Sequence, residues 1–291
     1  MSKRKQDHDM DVDGDSSDEE TPALVDVDFD FYNFNPDNDY HAINRLLIQL
    51  FGHDAESLQT GPLTDVISKA AHENGVGSTI KTDEEEGSDP YAFLTAISCH
   101  NTPGLKVLID YVLSKTKADQ GFHSTLQSLL QDHSKYHVGL VLGERLINMP
   151  VQVIPPMYKM LLEEIDEAIE DGEPYKFTHY LIISRVYRLT PAEEEAFGIA
   201  QRNSKRYKSA GNSQMGRSKD GVYGFHPEDE EIMQHATHVV TYSFTNAPPR
   251  DAESVGLDLA GRVMLVPAEK LKALAERIEE TYAVSEPSKG A

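Results

Sequence analysis

Apolar side chains recur along this chain with two different periods, and the interleaving of the two limits the fold more than any other feature. Val25, Val27, Phe29 and Phe31 alternate with Asp26, Asp28 and Asp30, the period of a strand with one apolar face and one row of carboxylates. Like charges two residues apart repel, so this strand is expected at a sheet edge or facing solvent. Ile43, Leu46, Leu47 and Leu50 then follow the 3.6 period, with Asp37 or Asn38 as cap and Gly52 as stop. A second helix is expected from Pro62 to Gly75, followed by a hairpin of residues 76–80 and 91–98 with an acidic tip. Thr102-Pro103 opens a helix carrying Leu105, Leu108, Ile109 and Val112, and a weaker helical pattern covers 122–130. Residues 138–142 are wholly apolar, as in a central strand. Pro155-Pro156 opens a helix with Tyr158, Leu161, Leu162, Ile165 and Ile169 on one side. Strands are expected over 177–186, 238–244 and 262–266, and a closing helix from Pro267 presents Leu271, Leu274, Ile278 and Tyr282. Strands and helices mixed in this way predict an α/β (α+β) single domain, a mixed β-sheet flanked by helices.

Charge narrows the function. Asp and Glu number 49 against 27 Lys and Arg, a formal charge of −22, which disfavours direct binding to nucleic-acid phosphates and favours basic proteins as partners. Eight acids lie between Asp7 and Glu20, after Lys3, Arg4 and Lys5, with little apolar surface to offset chain entropy. Residues 1–23 are therefore expected to be a disordered acidic arm, 24–285 the folded domain and 286–291 a disordered tail. Asp83, Glu84, Glu85 and Glu86 form a second acidic run, read as an exposed loop. Residues 201–224 carry six basic side chains and several glycines, and a flexible basic insertion is expected over about 191–221. A single cysteine, Cys99, excludes an internal disulfide and points to a reducing compartment. With no apolar run long enough for a membrane helix and no apolar leader in residues 1–13, the chain is expected to be soluble and not secreted.

The sequence carries no recognisable catalytic motif. Gly75-Val76-Gly77-Ser78-Thr79 lacks the lysine of a phosphate-binding loop and is read as a helix-to-strand turn. An acetyltransferase would carry Gln or Arg at the position of His72. His133 and His137 are one helical turn apart, but Ser134 stands where a zinc protease has Glu; His235 and His238 have no third ligand nearby in sequence. Cys99 and His100 are adjacent, so in a strand they point to opposite faces, and Cys99 is read as a small buried hydrophobe. No catalytic, cofactor-binding or metal residues are nominated.

Binding and localisation signals are clearer. Lys3, Arg4, Lys5 and the cluster Lys205, Arg206, Lys208 are candidate nuclear-import signals. Ser16 and Ser17 precede Glu19 and Glu20 by three residues, the pattern of acid-directed phosphorylation. Asp18, Glu19 and Glu20, with Asp83, Glu84, Glu85 and Glu86, are the candidate electrostatic contacts to a partner.

Several segments resemble one family, BCCIP, in order: Asn38-Asp39-Tyr40-His41 with Arg45-Leu46-Leu47, Val138 to Pro150 with its Gly143-Glu144-Arg145-Leu146-Ile147-Asn148-Met149-Pro150, Pro156-Met157-Tyr158, Pro227-Glu228-Asp229-Glu230, and Arg262 to Pro267. The resemblance implies a non-enzymatic protein of nucleus and cytoplasm, shuttling between them, with a fold like GNAT acetyltransferases but no coenzyme site. It implies, for a fungal member, a chaperone for a basic large-subunit ribosomal protein, acting in ribosome biogenesis and in nuclear export of a phosphoinositide kinase, with nuclear transport factors as further partners. Two other readings stay open, an acetyltransferase relative that kept activity and a regulatory scaffold in DNA repair and cell-cycle control. The Glu144–Pro150 stretch is expected to be a buried corner, with Arg145 and Asn148 satisfying backbone groups and Leu146 and Ile147 in the core; exposure of its side chains would instead mark a partner-binding strip.

Overall fold

The computed structural model describes residues 29–82, 88–131, 134–196, 221–250 and 256–283. Its strands are β1 (Phe29–Asn33), β2 (Ser78–Thr82), β3 (Ala92–Ser98), β4 (Val138–Arg145), β5 (His179–Arg188), β6 (Val222–Gly224), β7 (His238–Ser243) and β8 (Asp258–Pro267). They form one sheet in the order β1-β2-β3-β4-β5-β8-β7, with β6 added to β5. Among the described residues β4 and β5 are the parallel neighbours and the other pairs run antiparallel. The edge position expected for the first strand holds for its described part, β1.

Helices cover both faces, which is why the central strands read as continuous apolar runs. On one side lie α1 (Pro36–Phe51), α2 (Thr60–Asn74), α3 (Lys106–Thr116) and α4 (Gln120–Leu129), packed on Phe93, Ile97, Leu140, Leu142, Leu181, Ile183, Val263 and Leu265. On the other, α5 (Ile154–Glu170), α7 (Asp229–His235) and α8 (Leu271–Tyr282) cover Leu94, Ala96, Val141, Ile182, Met264 and Val266. Each fully buried side chain of this kind contributes ~1.5–3 kcal/mol. Successive residues of one strand thus serve opposite cores, the consequence of the period of two.

The hairpin of β2 and β3 and the helices all form, with adjusted ends. The cap of α1 is Asn35, not Asp37 or Asn38: its side chain accepts from Asp37 N, and Pro36 fills the first helical position where no N–H is required. Lys81 on β2 and Asp39 on α1, both fully buried, pair at 2.8 Å and tie the first helix to the hairpin. Of the insertion expected at 191–221, residues 191–196 and 221 are described. It begins as the helix α6 (Pro191–Ala196), capped by Thr190 with Glu193 and holding Glu194 buried against Tyr223, and residues 222–224 are a strand. Glu194 to Tyr223 at 2.9 Å and Leu189 N to Gly221 O at 2.9 Å close its base.

Candidate interaction face and its buried ionic support

Strand register decides which segments share an end of the sheet. Phe29 pairs with Thr82, Ile80 with Ala92, and Ala92 with Arg145. Residues 1–28, 83–87 and 146–150 therefore all join the fold at one end, on strands about 4.8 Å apart. Because β5 runs parallel to β4, the insertion after Arg188 starts from that end too.

Asp18, Glu19, Glu20, Asp83, Glu84, Glu85 and Glu86 lie outside the described residues, as do Lys3, Arg4, Lys5, Lys205, Arg206, Lys208, Ser16 and Ser17 and the expected arm and tail. The structure gives their points of attachment: Phe29 for the first segment, Thr82 and Ser88 for the second, Ala196 and Gly221 for the third.

The Glu144–Pro150 stretch divides in two, correcting the expectation of a wholly buried corner. Glu144 and Arg145 are buried, but Leu146 is 37% and Ile147 73% exposed, and Asn148 is exposed as well. Leu146 N donates to Tyr91 O at 2.9 Å and Gln49 Nε2 donates to Arg145 O at 2.8 Å, so the chain turns out of the sheet immediately after Arg145. Arg145 itself is satisfied by a carboxylate, not by backbone groups: its guanidinium grips both oxygens of Glu228, Nη2 to Oε2 at 2.9 Å and Nη1 to Oε1.

That pair belongs to a larger network. Past Leu142 and Ile183, β4 and β5 no longer pair, and the carboxyl ends of a parallel pair are where open α/β sheets usually admit ligands. Here charged side chains and the segment leading into α7 occupy the gap. Glu144 receives Arg185 Nε at 2.8 Å and lies 2.8 Å from His226 Nε2; Asp229 faces Arg262 at 3.8 Å; the Arg185 guanidinium stacks on Phe225 at 3.9 Å. A cavity of about 40 Å³ remains, lined by Glu144, Ser184, His226, Glu228 and Asp229 among apolar neighbours, room for water but not for a cofactor.

Burial and pairing compete over the protons. Burial pushes the Glu144 and Glu228 carboxyls up, but His226 and Arg185 around Glu144, and Arg145 and His226 around Glu228, outweigh it and hold both below the usual carboxylate range. Burial lowers His226, yet the Glu144 carboxylate outweighs it and the imidazole is shifted upward. For Asp229 burial wins, and its carboxyl is pushed up to about 6 against the pull of His226 and Arg262.

The remaining candidates resolve into structure. Gly77, at φ +128°, donates its N–H to Glu164 at 2.7 Å, and the turn follows the C-terminal, carbonyl end of α2, so a carboxylate sits there and the helix dipole opposes an anion. Cys99 is buried and its thiol is pushed up to about 12, which suits the small hydrophobe expected. His235 Nδ1 bonds Glu231 O and His238 stacks on Phe122, and His133 is outside the described residues. Among the described residues no three His, Cys, Asp or Glu side chains are grouped to hold a metal, and no helix is long and apolar enough to cross a membrane. Sequence reasoning missed Arg185, His226 and Arg262. Their signal was present: Arg185 interrupts the apolar run of β5, and Arg262 that of β8.

Comparison with known proteins agrees with this mixed α/β architecture. The BCCIP family model matches residues 24–232. Protein BCP1 of Debaryomyces hansenii is 38% identical over 268 residues, 86% of this chain and 84% of its own, and Protein bcp1 of Schizosaccharomyces pombe is 38% identical over 253 residues, 84% and 86%. The crystal structure of BCP1 from Saccharomyces cerevisiae superposes with a TM-score of 0.59 at 26% identity, over 91% of this chain and 93% of that one. The chain belongs to the BCCIP family.

Proposed function

We propose that this chain is a non-enzymatic chaperone that shields a basic large-subunit ribosomal protein and escorts it within the nucleus, shuttling to the cytoplasm. The observation that carries the reading is the common attachment, at one end of the sheet, of the acidic segments 1–28 and 83–87 and of the exposed Leu146-Ile147. Acidic chain attracts a basic protein from a distance, and a fixed surface beside the acidic segments supplies the contact. A net charge of −22 supports such a partner and argues against direct contact with nucleic acid. On this reading nuclear transport factors carry the complex, and other protein clients, a phosphoinositide kinase among them, use the same shuttle.

The test is solubility. Purified basic ribosomal proteins of the large subunit, each diluted singly into physiological salt with and without equimolar chain, are spun and the supernatants measured. One of them is expected to stay soluble only with the chain present. Equal precipitation of every one in both conditions would contradict the proposal.

A further inference from the structure

Independently of that reading, we propose that the outer edge of β7 pairs with the same edge of a second copy of this chain, antiparallel and centred on Thr241, so that one sheet runs through both copies. β7 closes the sheet at the side opposite β1, and among the described residues it pairs with β8 alone. The phase of the ladder decides which of its main-chain groups face outward. Ala268 N donates to Thr178 O at 2.9 Å, so the even-numbered residues of β8 bond β5, and the odd-numbered Gly261, Val263 and Leu265 bond β7. Their partners are Tyr242, Val240 and His238, which turns the N–H and C=O of Val239, Thr241 and Ser243 away from the sheet. Among the described residues one of these outward groups is taken: Ser243 O accepts from Lys115 Nζ at 3.0 Å.

Proteins blunt an open edge with charge or proline. β1 carries Asp30 in an exposed position, whereas β7, His-Val-Val-Thr-Tyr-Ser, has no carboxylate, lysine, arginine or proline, and its Val239 is 37% exposed. A two-fold axis at Thr241 sets Val239 opposite Ser243 and Thr241 opposite Thr241 on one face, and Val240 opposite Tyr242 on the other. Threonine with threonine and β-branched with aromatic are pairs that stabilise antiparallel sheets. Every outward residue then meets an outward residue of the other copy, Ser243 O through its second lone pair.

Charge favours a second copy over a strand from a basic client. Lys115 reaches the Ser243 carbonyl and Arg188 Nη1 its hydroxyl, at 3.0 Å each, so cationic side chains arriving along β7 would meet two cations. Both are paired within the chain, Lys115 with Asp54 at 2.6 Å and Arg188 with Asp258 at 3.6 Å, and the edge is close to neutral. A net charge of −22 on each copy opposes contact, but β7 lies six strand spacings from Asp30 on β1, ~30 Å, well beyond a Debye length of ~8 Å at physiological ionic strength.

The experiment is sedimentation equilibrium of the full chain up to about 100 μM, where a dimer of micromolar Kd is populated, for wild type, Thr241→Pro and Val239→Lys. Proline at an outward position removes no bond between β7 and β8 and is tolerated at an edge, yet it blocks the central pair; lysine places a charge on the pairing edge. Wild type is expected to rise from the mass of one chain to that of two, and to do so at least as readily in high salt, which screens the repulsion. Each variant is expected to raise the Kd about tenfold or more, with an unchanged melting temperature at concentrations where wild type is monomeric. Wild type that keeps the mass of one chain throughout overturns the proposal, and so does a dimer that either folded variant retains. If Thr241→Pro unfolds the chain, Val239→Lys decides. A monomeric wild type whose binding to a ribosomal protein is lost in the variants would assign the edge to a client strand, and that too overturns the proposal.

Discussion

Arg145 and Glu228, 83 residues apart in sequence, meet in a two-pronged ion pair with only 7% of either side chain exposed, and the pair joins the end of β4 to the start of α7. One of these residues immediately precedes the exposed Leu146-Ile147, so the support of the candidate face is electrostatic and buried.

Glu228→Gln leaves the Arg145 guanidinium buried without its counter-charge. Breaking one partner of a buried pair costs ~3–5 kcal/mol, and urea unfolding is expected to show a loss of that size. A loss below ~1 kcal/mol would mean that water reaches Arg145 and that the pair does not hold the loop.

Stability is expected to pass through a maximum in mildly acidic solution. Glu144 and Glu228 are depressed in the folded state, so their contribution is present above the ordinary carboxylate value near 4.5 and is lost as pH falls through their folded values. Asp229 and His226 are raised, so their contributions are full at pH below the unfolded values, 3.8 and 6.5, and decline as pH rises through about 6 for Asp229 and above 6.5 for His226. Melting temperature should therefore fall between pH 6 and 8, and His226→Gln should flatten that decline. A flat wild-type profile over the same range would show that His226 is not held in this way.

The architecture was legible because its elements are long and periodic. Ile43 to Leu50 and Tyr158 to Ile169 could belong only to amphipathic helices, and the mixture of periods required a sheet covered by helices. Strand order was not legible, since the parallel contact of β4 with β5 and the insertion of β8 between β5 and β7 join residues far apart in sequence. The reading of Glu144 to Pro150 failed at Leu146 and Ile147 because apolar identity says nothing about direction once a strand has ended; the bond from Leu146 N to Tyr91 O turns them outward. The network of Arg185, His226 and Arg262 was hidden for a related reason, as each looks like a single surface charge until the fold places its partner opposite.

Leu274 is fully buried in the core between α8 and the sheet, and the other face of that helix is polar. Leu274→Asp would put an unpaired carboxylate there and is expected to abolish the cooperative melting transition. Retention of wild-type stability would contradict the packing of α8.

Nuclear accumulation is expected to depend on Lys3, Arg4, Lys5, Lys205, Arg206 and Lys208 together. Alanine at all six should reduce it, with partial effects from either cluster alone, because two basic segments reinforce each other in binding one receptor. An unaltered distribution of a fluorescent fusion would mean that import rides on the client.

The most direct test of an acidic carrier is the salt dependence of its association with the ribosomal protein it keeps soluble. Association rates are measured by stopped flow from low to high salt for wild type and for a variant lacking residues 2–23 and carrying Ala at Asp83, Glu84, Glu85 and Glu86. The account predicts slower association of the variant at low salt, a difference that shrinks as the Debye length falls toward ~8 Å at physiological ionic strength, and dissociation rates that change less. Equal association rates at low salt would contradict it, and so would complete loss of binding at every salt concentration, since the acids would then be the recognition surface itself.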